Sequence, residues 1–343
     1  MFVKRFLPIL IAIFLLATLA IGCTTKSPDR VIGDLSKNVS KLTSYKAVGT
    51  MTFQTGKAPQ EYDLEVWYKK PGLYRISLKS KQQNITQIIL RNNEGVFVLT
   101  PHLNKSFRFQ SNWPQNQSQV YLYESLIKDI ETDAARTYER VNEQYEFTVK
   151  ANYPNQSLTT QKIIFDKALK PKKVEIMDSN KNSMVQVNFA QFEFDFTFDK
   201  DAFEKDRNMQ SALFDSIPTF GTLEEQKNNQ NFTVVRPSYI PKGNKLHNVQ
   251  QSKGEDGEQI VLEYGGKYPF KLIENKPRAA EVILPAGEPV DLGYTVGILS
   301  NDTSEKQTLT WTHNGIEYHL SGSIPVNEMM DIARSTLSKS EYK

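Results

Sequence analysis

The period of apolar and polar positions changes repeatedly along the chain. Residues 7–21 are apolar apart from Pro8 and Thr18, behind the charged Lys4 and Arg5. That run is short for a transmembrane helix and has the layout of a secretory signal. A polar tether follows at 23–28. In 29–42, Val31, Leu35, Val39 and Leu42 recur at helical spacing between Asp34, Lys37, Asn38 and Lys41, which predicts an amphipathic helix. From Tyr45 the period becomes two. Tyr45, Ala47, Gly49, Met51 and Phe53 alternate with polar or smaller residues, and Tyr62, Leu64, Val66 and Tyr68 do the same after a break at 56–59. Lys70-Pro71-Gly72 marks a turn, and Tyr74, Ile76 and Leu78 make the next strand. Further strands are expected at 86–91, 95–100 and 106–109, with Asn92-Asn93-Glu94-Gly95 as a hairpin turn.

This antiparallel meander is interrupted once. In 118–130, Val120, Tyr123, Leu126, Ile127 and Ile130 share one helical face, and the helix is expected to run on toward 140. Strands resume at 145–150, 161–166, 173–178 and 184–194, and the acidic, aromatic 195–203 reads as the exit from the sheet. Periodic apolar residues then thin out over 206–231, which reads as a linker. A second unit, 232–343, shows strands near 259–264, 294–299, 308–313 and 316–320. It closes with a helix that Ser323 could cap and Pro325 could start, with Val326, Met329, Ile332, Ala333 and Leu337 as its apolar face.

Composition sharpens the picture at its N-terminal end. Cys23 is the chain's single cysteine and stands directly behind the apolar run, after Gly22. No disulfide and no cysteine metal cluster can therefore form within the chain. A signal ending before Cys23 would leave the 343 residues less the first 22. Without Lys4 and Arg5, 40 basic residues face 39 acidic ones, a net of about +1. That balance argues against a nucleic-acid partner and against a strongly polybasic membrane patch.

Catalytic constellations are largely missing. There is no thiol–histidine pair and no Gly-x-Ser-x-Gly elbow. His313 and His319, in two adjacent predicted strands, could face each other and hold a metal with Glu317, but a plain surface strand pair fits the spacing better. Glu255-Asp256-Gly257-Glu258 lacks the alternating ligands of a calcium loop and reads as a solvated turn. No cofactor is implied, and the residues call for no enzyme. What the chain does carry is apolar surface, with 19 Phe and 15 Tyr. A curved sheet with two helices laid in its concave face would bury it. Patterning alone favours a filled core over an open cavity.

Three resemblances extend this reading. A small residue before Cys23, at the end of an apolar run, resembles the bacterial lipoprotein cleavage box, although Ala20 stands where that pattern has Leu, and Leu19 lies one step earlier. The resemblance implies cleavage between Gly22 and Cys23, lipid on Cys23 and a place on the outer face of the cell membrane. Trp67-Tyr68-Lys69-Lys70-Pro71-Gly72-Leu73-Tyr74-Arg75, the hairpin from Ile89 to Val98, and the ending Phe198-Asp199-Lys200-Asp201-Ala202-Phe203 resemble the LolA-like carriers, in the same order of elements. More narrowly, the Trp311 strand, the Tyr318 strand and Met330-Asp331-Ile332-Ala333-Arg334-Ser335 resemble the ending of the sporulation-associated lipoproteins of endospore-forming Gram-positive bacteria, the YdcC type.

These resemblances imply an α+β, mainly β fold: an incomplete antiparallel β-barrel with plug and lid helices over 29–205, then a small mixed α/β domain. They imply an apolar half-barrel cavity for an acyl chain or a lipidated partner, lined by Phe53, Leu64, Val66, Leu90, Phe97 and Leu99 beneath Val120, Tyr123 and Ile127. Arg75 matches the family arginine that contacts the lid. If Arg75 faces the cavity, strand alternation turns Tyr74, Ile76 and Leu78 away, and both faces have plausible occupants. The alternative is an RseB-like interaction or signalling module, with a protein partner at the membrane and no lipid in the barrel.

Overall fold

The computed structural model describes residues 26–54, 59–115, 118–153, 157–214, 234–254, 257–276, 278–292, 295–301, 306–313 and 315–336. Gly22, Cys23, Glu255, Asp256 and Leu337 lie outside them.

Helix α1 (Pro28–Lys41) starts where the sequence favours it, with Pro28 at its first position and the Ser27 hydroxyl accepting from Arg30 N. Val31 and Leu35 are buried on one face. Ten strands in succession then build most of a large sheet: β1 (Ser44–Phe53), β2 (Gln60–Lys69), β3 (Leu73–Ser80), β4 (Thr86–Asn92), β5 (Gly95–Thr100) and β6 (Lys105–Gln110), and after helix α2 (Tyr123–Thr132), β7 (Thr137–Val141), β8 (Gln144–Lys150), β9 (Leu158–Phe165) and β10 (Pro171–Asp178). The last antiparallel strand, β11 (Ser183–Phe194), returns to pair with β1. At the bulge in that pairing the backbone comes close enough that a side chain on Gly49 would meet Asn188 O at 2.2 Å.

Helix α3 (Lys205–Phe214) follows, occupying the start of the expected linker. The rest of the chain forms β12 (Asn244–Gly254), β13 (Gly257–Gly266), β14 (Phe270–Asn275), β15 (Glu281–Ala286), β16 (Glu288–Asp291), β17 (Val296–Asn301), β18 (Gln307–His313), β19 (Ile316–Gly322) and helix α4 (Val326–Ser335). Seven of the eight strands stack in one sheet, order β12-β13-β14-β19-β18-β17-β16, while β15 leaves it. That strand pairs in parallel with β6 and makes the large sheet twelve-stranded, order β15-β6-β5-β4-β3-β2-β1-β11-β10-β9-β8-β7. Its first and last strands do not meet, so the sheet is an incomplete barrel with two edges.

Three expectations are corrected. The second helix begins at Tyr123, not at 118, because Gln119 N donates to the Ser125 hydroxyl at 2.8 Å and holds 118–122 as a non-helical turn on the helix. Val120 therefore sits in that turn. Residues 137–141, expected to continue the helix, form the edge strand β7. Asp133 ends the helix, its carboxylate accepting from Ala135 N at 2.8 Å and Lys150 N at 2.7 Å. Ser323 does not cap α4, whose first residue follows Pro325 with no side-chain cap.

Candidate functional site

The inner face of the large sheet is where the resemblance placed a ligand. Alternation sends Tyr45, Ala47 and Met51 of β1, Tyr62, Leu64 and Val66 of β2, and Tyr74, Ile76 and Leu78 of β3 to this face. Helices α1 and α2 cover it, contributing Val31, Leu35, Tyr123, Leu126, Ile127 and Ile130 to the same apolar cluster. The rings interlock. Tyr45 stacks on Phe192 at 5.0 Å and on Tyr68 at 5.4 Å, and Tyr123 meets Phe192 at 5.5 Å. Leu64 is 1% exposed and Val66 and Tyr123 are fully buried.

Two carboxylates of α2 lie beside this cluster: Asp129, which accepts from the Ser118 hydroxyl at 2.6 Å and whose pKa burial raises to about 6, and Glu124. Glu124, in the first turn of α2, accepts from Tyr74 OH at 2.6 Å and from Tyr45 OH at 3.2 Å. Tyr45 OH in turn accepts from Tyr123 N at 3.3 Å, satisfying an amide that a helix start leaves orphaned. Burial raises the Glu124 pKa although both tyrosines favour its charged form. Burial and the Glu124 charge raise Tyr74 in the same way. The start of the lid is thus pinned to β1 and β3 through hydroxyls. Tyr123 OH donates to Leu169 O at 3.2 Å and accepts from Asn38 of α1 at 3.3 Å, which ties both helices to the turn before β10.

The structure divides the expected cavity residues between two faces. Phe53, Leu64, Val66, Val120, Tyr123 and Ile127 belong to the inner cluster. Leu90, Phe97 and Leu99 belong to a separate cluster on the outer face, with Ile88, Ala202, Phe203 and Ala212. Each of these strands is buried on both sides, so period-two patterning could not say which face was inner. Arg75 is also on the outer face. It donates to Asn208 of α3 at 2.5 Å and to Glu65 at 2.7 Å, and its guanidinium lies 4.3 Å from the Trp67 ring centre. It contacts α3 and not the lid α2, and Tyr74, Ile76 and Leu78 are the residues that face inward.

A second region gathers polar groups where the two sheets meet. Lys105 of β6 pairs with Glu317 of β19, and both are buried. Glu317 also contacts His319 Nε2 at 2.9 Å, and His319 Nδ1 lies 3.1 Å from Thr310 Oγ1. Burial opposes the charge on Glu317, but His319 and Lys105 outweigh it and hold its pKa below the usual carboxylate value. Gln87 of β4 accepts from Thr295 Oγ1 at 2.8 Å and Val296 N at 2.9 Å. Beside it is a cavity of about 20 Å³ lined by Leu78, Gln87, Thr100, His102, Thr295 and His313, among others. Burial lowers His313 to about 4. His313 stands opposite Ile316 in the β18–β19 register and His319 opposite Thr310, so the two do not face each other. The pair is also not a solvated surface pair, since it lies in this junction. Among the described residues, no three His, Cys, Asp or Glu side chains come together as a metal site. Sequence reasoning missed the junction because its partners lie more than 200 residues apart.

Comparison with known proteins fits this architecture. Residues 3–203 match the family model described as sporulation protein YdcC-like. Sporulation protein YdcC of Bacillus subtilis is 41% identical over 333 residues, 95% of each chain. Among solved structures, a chain of the MucA/MucB complex of Pseudomonas aeruginosa covers 90% of this chain and 97% of its own, with 14% identity and a TM-score of 0.31. A LolA superfamily protein from Nitrosomonas europaea covers 53% of this chain and all of its own, at 9% identity and a TM-score of 0.30. Superpositions at that level define neither a site nor a partner. The family match over more than half of the chain, together with the identity along nearly its whole length, makes this chain a member of the YdcC-like sporulation protein family.

Proposed function

We propose that this chain is an extracytoplasmic sporulation lipoprotein, anchored through lipid on Cys23, whose half-barrel is a packed scaffold for a protein partner and not an acyl-chain carrier. The filled inner face carries the reading. Tyr45 of β1 and Tyr123 and Ile127 of α2 fill the space between the sheet and the helices at 1% exposure or less. The junction cavity of about 20 Å³ has room for a water molecule, not for a run of methylenes. An acyl chain would have to displace a helix and strip Glu124 of its tyrosine donors, leaving a buried carboxylate unsatisfied. The sequence offers no nucleophile–base constellation, which supports a non-enzymatic role. We read 29–205 and 232–343 as two units divided at 206–231, sharing the large sheet through β15.

Native mass spectrometry of the protein extracted in mild detergent tests both parts. The expected mass is that of the chain from Cys23 plus covalently attached acyl groups, with no further lipid. A stoichiometric, non-covalent acyl ligand would restore the carrier reading. Cys23→Ser should leave the membrane fraction or persist as an uncleaved precursor. Wild-type fractionation by that variant, with no acyl mass on the native protein, would remove the anchor.

A further inference from the structure

The chain's near-neutral charge hides a segregation of its basic residues. Several strand lysines are paired, Lys46 with Glu65, Lys162 with Glu146 and Lys173 with Glu175, while Lys79, Lys150 and Lys172 form no ion pair among the described residues. At one end of the half-barrel, unpaired basic residues gather. Arg30, Lys37 and Lys41 are exposed and stand at i, i+7 and i+11 of α1, on one line of the helix. Lys69 at the end of β2, Lys70 in the turn after it, and Lys167 in the turn before β10 are exposed as well. None of these six residues forms an ion pair among the described residues, a state that holds for both turns and for the whole stripe.

The fold brings the three groups to one edge. Lys70 N donates to Thr43 O at 2.8 Å, directly beyond the end of α1. Asn38 of α1 reaches Leu169 through Tyr123 OH, which sets the Lys167 turn beside the C-terminal half of the same helix. Of the acidic groups nearby, Asp29 in the first turn of α1 is exposed and forms no ion pair among the described residues, and Asp195 accepts from the Thr43 hydroxyl at 2.7 Å; two others are engaged. Asp34, on the same line of α1, is paired with Lys26 at 2.7 Å. Asp166 accepts from Ala168 N and Lys170 N within its own turn. Val31 and Leu35 hold the opposite side of α1 in the core, so the basic line faces out.

We infer that this basic edge docks the folded chain against a bilayer of anionic phospholipid, with α1 lying along the surface. Charge complementarity and position favour that occupant. The helix begins five residues after Cys23, the proposed point of lipid attachment. A line of cations about 20 Å long matches a plane of headgroups better than it matches a point ligand. One lipid-modified residue plus a basic surface is also the two-signal arrangement that makes peripheral anchoring stable. The inference takes from the proposed function only the nearness of a bilayer, and it can fail without affecting the packed-scaffold reading.

The chain from Thr24, which keeps every described element and lacks Cys23, is mixed with vesicles of phosphatidylglycerol and phosphatidylcholine, or of phosphatidylcholine alone, and sedimented. Binding is expected to the anionic vesicles only and should fall steeply as salt rises above about 0.1 M, where the screening length is roughly 10 Å. At roughly fivefold per residue, the triple variant K37E/K41E/K167E should lose about a hundredfold in apparent affinity. The control triple K242E/K245E/K253E changes net charge equally on exposed positions of the other unit and should bind as wild type does. No binding of wild type to anionic vesicles at low salt, or equal loss in both triples, would overturn the inference. Circular dichroism of each triple separates lost binding from lost fold.

Discussion

The large and the small sheet each bury a carboxylate under a covered face, and they treat it differently. Glu124 receives two tyrosine hydroxyls in an interior crowded with rings. Glu274, on the inner face of β14, is fully buried and accepts from Val235 N at 3.0 Å, while its other oxygen has no partner. Its neighbours across the strands are Ile260 and Tyr318. Burial pushes its pKa up to about 7, with the Val235 bond acting the other way. The first core is packed with rings and Glu124 fastens a helix in it, although Asp129 Oδ2 and Gln161 Nε2 are buried there without a partner. The second holds a group whose charge is poorly tolerated and which touches the chain where it enters the small sheet. Stability should therefore respond to pH in both sheets, through Asp129 of α2, whose pKa burial raises to about 6, and more strongly through Glu274 of the small sheet.

The largest effect is expected from placing an unpartnered charge in the ring-packed core. Leu64→Glu should cost about 4 kcal/mol or more and abolish cooperative thermal unfolding of the large sheet. A variant that folds normally would mean the inner face has room that the structure does not show. Glu124→Ala comes next. Removing the shared acceptor of Tyr45 and Tyr74 should cost about 2–3 kcal/mol, and hydrogen exchange should quicken first in α2.

Glu274→Gln tests the other side. Because the folded-state pKa is raised, from 4.5 to about 7, the neutral form supports the fold below the ordinary carboxylate value, and that support is lost as pH rises through about 7. Glutamine cannot ionise. The variant should match wild type near pH 4 and exceed it by about 2 kcal/mol near pH 8. Parallel pH profiles of denaturant midpoints would show that the Glu274 charge is accommodated after all. The smallest effect is expected on the outer face. Arg75→Ala should cost about 1–2 kcal/mol by leaving the Asn208 side-chain oxygen without its donor and Glu65 with Lys46 alone, and exchange should rise in α3 while α2 is unaffected.

What the sequence revealed follows the range of the forces involved. The bounds of α1, the β4–β5 hairpin and the run of antiparallel strands were legible because caps, turns and period-two alternation are local. The inner and outer residues were not separable, since Leu90 and Val98 are equally apolar and only the positions of α2 and α3 distinguish their faces. The turn at 118–122 keeps helical spacing although its backbone is captured by Ser125. β12 was missed because Gln250, Gln251 and Ser252 leave it polar on both sides, as an edge strand can be. β15 was missed because six residues joining a strand far upstream give no local signal. The basic edge was invisible to a net charge, which sums residues without regard to place.

The account rests on the half-barrel being full. Titrating a fluorescent fatty acid into the chain from Thr24 tests that most directly, with Ile127→Ala as the companion variant that opens space beneath α2. Wild type should show no saturable uptake, while the variant, left with a cavity under the lid, should gain some. Saturable one-to-one binding by wild type, lost when Ile127 is replaced by a larger side chain, would contradict the packed scaffold and make the chain an acyl-chain binder.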